Sequence, residues 1–169
     1  LRCLVGSEMC IRDSILTAVG QDAYMWRGKV IEADTLLEAG RPIVVYDSLS
    51  VREGVTLSMA AGVQLYFHDG ANLWVHGRIV AEGTVDRPVV SRGDRTDRMF
   101  DYLPYDNTPS RWGGIRLKAT STDNRLNHVD IHSASYGIAC DSSSTDVMKL
   151  TLENSVIHNV GGEGLGLYH

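Results

Sequence analysis

Four leucines, Leu49, Leu57, Leu65 and Leu73, recur at a strict interval of eight residues through "LSVREGVTLSMAAGVQLYFHDGANLWVHG" (49–77). Two places after each stands a second apolar residue: Val51, Met59, Phe67 and Val75. Glycine follows at Gly54, Gly62 and Gly70 on the same interval, with Gly77 one place early. Alternation of apolar and other residues marks a strand with one buried face. Glycine tolerates the positive φ of a tight corner. Each unit therefore reads as a short strand and a bend.

Regular short strands also suit an antiparallel sandwich or barrel, so the bends must decide. Hairpins favour two-residue loops such as Asn-Gly or Asp-Gly, and in this ladder only Asp69-Gly70 matches. Three such units span 24 residues, the length of one coil of a three-sided parallel β-helix. Leu73 should then stack over Leu49, and Val75 over Val51, at the strand spacing of about 4.8 Å. The expected fold is all-β, a fragment of a right-handed parallel β-helix, a three-sided solenoid stabilised by stacking of neighbouring coils.

The pattern returns downstream. "LNHVDIHSASYGI" (126–138) and "LENSVIHNVGGEGL" (152–165) align Ile131-His132 with Ile157-His158, 26 residues apart. "WGGIRLKA" (112–119) supplies a further strand, and "IVAEGTVDRPVV" (79–90) bridges the two regions. Between them "SRGDRTDRMFDYLPYDNTPSR" (91–111) interrupts the ladder with acids, arginines and the aromatics Phe100, Tyr102 and Tyr105. An insertion this long is usually functional or disordered, and its aromatics argue against disorder.

The run "LVGSEMCIRDS" (4–14) fits none of this. It has no apolar core or cleavage site of a secretory signal. Back-translated, it resembles the transposon-end adapter of sequencing libraries, so residues 1–14 are expected to be translated adapter rather than protein. On that reading the frame is cut at its left end, the closing "GLGLYH" suggests a cut at the right, and of Cys3, Cys10 and Cys140 only Cys140 counts. One thiol makes neither a disulfide framework nor a cysteine zinc site. Hydrophobic content of 43% and charged content of 22% suit a globular chain. The net charge of −5 argues against a nucleic-acid partner. No apolar run reaches the length of a membrane span.

The ladder, with "WGGIRL" and "LNHVDIHSASYGI", resembles the right-handed parallel β-helix repeat proteins of bacterial surfaces. More narrowly, "GQDAYMWRGKVI" and "RGDRTDRMFDYLPYD" resemble a group of outer-membrane-anchored lipoproteins in which an immunoglobulin-like β-sandwich precedes the helix. The resemblance implies export and surface display, with residues 15–25 as the last strand of that sandwich, 26–41 as a lead-in or cap, and 42–169 as the helix. It carries no catalytic motif.

Chemistry must then be sought residue by residue. His128, Asp130 and His132 alternate with inward Val129 and Ile131 and should share one outer face, with His158 stacked on His132. Such a set could ligate a divalent ion, although a solenoid needs polar outer faces anyway and no cofactor is expected. Glycoside hydrolysis needs two carboxylates at a set separation. Asp130 plus 26 is Val156 and Asp141 plus 26 is Leu167, so adjacent coils supply no acid pair, and Arg116 and Lys118 lack the carboxylate cluster of a lyase. Arg92-Gly93-Asp94 is too short to carry an adhesion function, and Asp94 is expected to pair with a neighbouring arginine or cap a turn. Trp74 and Tyr66 should point outward. Phe100, Tyr102 and Tyr105 should cover part of that wall; the alternative is that Trp74, or the tyrosines Tyr102 and Tyr105, form a sugar-binding platform. The functional expectation is a non-enzymatic, surface-exposed binding or spacer module of an exported lipoprotein, with a glycan or another surface protein as partner. The alternative is a fragment of a polysaccharide lyase or glycoside hydrolase whose active site lies elsewhere.

Overall fold

The computed structural model describes residues 22–144 and 146–168; the expected adapter and most of residues 15–25 lie outside them. The described chain is a parallel β-solenoid of about six turns, 51% strand, with one 3-10 turn at Tyr105–Asn107 as its helical content. Each turn has three sides. The first face stacks the front of Ile43–Val51, then Gln64–Phe67, Val89–Gly93, Val129–His132 and Val156–His158. The second stacks the back of Ile43–Val51, then Asn72–Val75, Gly114–Leu117, Ile138–Cys140 and Leu165–Leu167. The third carries Thr35–Leu37, Thr56–Ala60, Arg78–Glu82, Asn124–Asn127 and Leu150–Glu153.

The ladder sets this register. Leu49 pairs with Leu73 and Val51 with Val75, as the eight-residue interval predicts. Ile131-His132 pairs with Ile157-His158. Leu49, Leu57, Leu65 and Leu73, with Val51, Phe67 and Val75, are fully buried along the axis. Each such side chain contributes roughly 1.5–3 kcal/mol of apolar burial, but only when a coil above or below closes over it. Parallel pairing begins at Tyr24, because Tyr24–Ile31 runs alongside Ile43–Val51. Residues 24–41, expected to end a sandwich and lead in, thus already hold strands of the first turn.

Corners divide into two kinds. Gly54, Gly62 and Gly70 take the positive φ expected of them, at 76°, 87° and 76°. Gly77 does not. A Cβ there would lie 2.2 Å from the carbonyl oxygens of Arg52 and Val55, so backbone approach excludes a side chain. Elsewhere non-glycine residues make the corner: Asp47, Ser133 and Asn159 between the first and second faces, His128 and Asn154 between the third and first, all with φ of 48–66°. Asp, Asn and His are the types that tolerate this region. Inside the third-face wall, buried Asn124 links turns: its Oδ1 accepts from the Ile79 amide at 2.9 Å and its Nδ2 donates to the Lys149 carbonyl at 2.9 Å.

The insertion begins later than expected. Val89–Gly93 is a first-face strand, and Ser91 is buried between Leu65 and Ile131. The excursion leaves at Asp94, whose amide donates to the Phe67 carbonyl, and returns at Gly113, whose amide donates to Ala71. Within it Arg98–Phe100 and Leu103–Pro104 form a small antiparallel pair. Trp112 closes the return. Its ring stacks on Phe67 at 4.2 Å inside the core, and its Nε1 donates to the His132 carbonyl at 2.8 Å.

Candidate functional site

Polar chemistry concentrates on the outside of the first face, where the insertion folds against the fourth and fifth turns. In-register stacking puts His132 beside His158, their rings 4.6 Å apart. Asp130 stands between them, its Oδ1 2.8 Å from His132 Nδ1 and 3.1 Å from His158 Nε2. From the insertion, Asp106 places its Oδ1 2.9 Å from His132 Nε2. Arg92 holds that carboxylate at 3.0 Å, and the Ser133 hydroxyl donates to the Asp106 carbonyl oxygen at 2.7 Å.

His132 is thus an almost buried ring with a carboxylate at each nitrogen. Burial works against its charge, but the hydrogen bonds and negative charge of Asp106 and Asp130 outweigh it and raise the pKa to about 9. Burial likewise opposes ionisation of Asp106 and Asp130, and the cationic neighbours overcome it, so both carboxyls lie below the usual value. Near neutral pH the group is an imidazolium held by two carboxylates. The imidazole sits between the two carboxylates, hydrogen-bonded to both, whereas a pair of hydrolytic carboxylates must leave the space between them open to substrate. The imidazole fills the gap where a sugar and water would have to sit.

Not every expected ligand joins the cluster. His128 is a corner residue at φ 50° and is not among the side chains whose donor atoms converge, Asp130, His132 and His158. Its Nδ1 is buried with no hydrogen-bond partner, and it lines a shallow groove of about 360 Å³ with Asp130, Asn154 and Val156. Sequence spacing missed Asp106, Arg92 and Ser133 as its companions. The interruption of the ladder was the one available signal, because a contact made by a single insertion has no repeat to betray it.

The aromatic candidates separate. Trp74 does lie on the outer side of the second face, paired with Ser50 and Arg116 and half-buried, with Lys118 Nζ 5.7 Å from its ring. Arg116 and Lys118 do have a carboxylate: Asp141 binds the Arg116 Nε at 2.8 Å and Lys118 Nζ at 2.7 Å. Tyr66 is on the outer side as expected but is buried, with Arg92 5.1 Å above its ring. The favoured covering role for the insertion's aromatics does not hold. Phe100 is 54% and Tyr102 82% exposed, and they stack on each other at 5.6 Å. Tyr105 is half-buried between Arg95 and Arg111, 3.6 and 5.7 Å from its ring centre. Asp94 also departs from expectation, pairing with His68 of the preceding turn at 2.7 Å rather than with an arginine. Arg92 and Asp94 of the Arg-Gly-Asp triplet are therefore both engaged within the protein. Cys140 is buried, and burial pushes its thiol pKa up, so it is held as an unreactive thiol.

The geometry defines a class by architecture alone, a three-sided parallel β-solenoid with one docked insertion. Comparison with known proteins adds no relative: no family profile, curated protein or solved structure matches the chain. Among the described residues no helix is long and apolar enough to cross a membrane.

Proposed function

We propose that this chain is a non-catalytic solenoid module of a larger exported bacterial surface protein, and that its insertion presents an aromatic contact for a glycan. The carrying observation is the contrast within residues 94–113. The base is pinned through Asp106 to His132, Arg92 and Ser133, while Phe100 and Tyr102 stand stacked and open at its tip. Stacked rings offer a sugar an apolar face, and the phenol hydroxyl and nearby Arg98 supply hydrogen-bonding groups. The non-catalytic reading is supported by the engagement of the acids near these sites: Asp106, Asp130 and Asp141 each face a cation. Export and lipoprotein attachment rest on the sequence resemblance.

Retention on a panel of immobilised polysaccharides tests this reading. The intact chain should be retained by at least one, and Phe100→Ala with Tyr102→Ala should lose retention at an unchanged melting temperature. Absence of retention across the panel would remove the glycan partner.

A further inference from the structure

We propose that Asp130, His132 and His158 form a binding site for a first-row divalent cation of the zinc type, clipping the last described turn of the solenoid to the turn before it. The three donor atoms, one carboxylate oxygen and two imidazole nitrogens, all lie within 4.8 Å of one another. Zinc bonds to nitrogen and oxygen of about 2.0–2.2 Å require tetrahedral donors roughly 3.3 Å apart. The Oδ1 separations of 2.8 and 3.1 Å need to open by a few tenths of an ångström, and the two imidazole nitrogens, which lie within 4.8 Å of each other, meet the same spacing by a shift of the more exposed His158 side chain.

The surroundings resemble a metal site's outer shell more than a chance ion pair. A ligating histidine usually donates its second nitrogen to a carboxylate, which fixes ring and tautomer. His132 has that arrangement: Nδ1 faces the proposed ion position and Nε2 faces Asp106. Asp106 is in turn fixed by Arg92 and Ser133. The backbone is equally constrained, because Asp130, Ile131 and His132 pair in unbroken register with Val156, Ile157 and His158. One side stays accessible, with the side chains of Asp130 and His158 33% and 40% exposed. Water can complete the coordination there. Two imidazoles and one carboxylate favour zinc-like ions over calcium or magnesium, which prefer all-oxygen sets. The ion takes the place of the proton between His132 and Asp130. This site stands independently of the glycan reading, since it uses no residue of the insertion's tip.

Calorimetric titration of the untagged full chain with zinc chloride tests it. One equivalent should bind with micromolar affinity or better, and magnesium and calcium should give no binding at the same concentrations. His158→Ala should weaken zinc at least tenfold. Asp106→Asn should weaken it roughly 10–100-fold with stoichiometry kept, as outer-shell changes do. A readout free of any variant is the ring-nitrogen spectrum of the wild-type chain, in which zinc should move His132 and His158 and leave His68 in place. No binding at millimolar zinc, full affinity in His158→Ala, a preference for calcium, or a response confined to His68 would each overturn the proposal.

Discussion

A single imidazole, His132, ties three parts of the chain together, and its protonation should be readable in stability. Its folded pKa of about 9 exceeds the ordinary histidine value of 6.5. The charged form is therefore favoured by folding, and the stabilisation is complete below about pH 6. It is lost as pH rises through the folded value of about 9. Linkage puts this on the order of 3 kcal/mol. The groups facing the ring are Asp106, Asp130 and His158, and Arg92 holds Asp106 from behind. Asp106 and Asp130, with lowered pKa values, contribute stability above the ordinary carboxyl range that disappears as pH falls through their own depressed values. Chemical denaturation of the metal-free protein should thus show a plateau near pH 5–6 and a decline between pH 7 and 10. His132→Gln should flatten that alkaline decline; an unchanged profile would show that the ring carries no linked proton.

At the scale of elements, the insertion behaves as a lever fixed at its base and free at its tip. Asp106→Ala strands His132 and Arg92 without their shared acceptor. The loss of a buried charge pair's partner is typically worth about 3–5 kcal/mol, and less where, as here, other partners remain. Such a variant should melt earlier and be cut rapidly by trypsin at Arg95 or Arg98, whereas Tyr102→Ala should keep the wild-type melting temperature and cleavage rate. Equal destabilisation by both would return the aromatics to a covering role. The strands were legible because Leu49, Leu57, Leu65 and Leu73 repeat the same physical demand on successive sides. The site was legible only in part. His132 and His158 align because they belong to the repeat, but Asp106 reaches them across a unique fold-back. His128 was misplaced because alternation assumes an extended chain, and a positive φ at a non-glycine residue breaks it without a compositional mark.

For the whole molecule, stability should follow position along the stack, since each turn of a solenoid touches only its neighbours. The middle turns, with Leu49, Leu65, Leu73 and Ile79 fully buried, should show the strongest amide protection. The last turn should exchange fastest, because Leu165 and Leu167 remain largely exposed and no described strand lies beyond them. Hydrogen exchange followed by mass spectrometry checks this, and uniform protection would mean that the molecule opens only as a whole. One further consequence comes from the corner at which the insertion departs. Asp94 and Gly113 keep their hydrogen bonds to Phe67 and Ala71 of the turn beneath, so the stack carries a long excursion over residues 94–113 in place of the short corner over 68–71 without losing a step. That corner is a grafting socket: foreign loops with matched ends could be mounted there while Trp112 remains as the plug that seals the core.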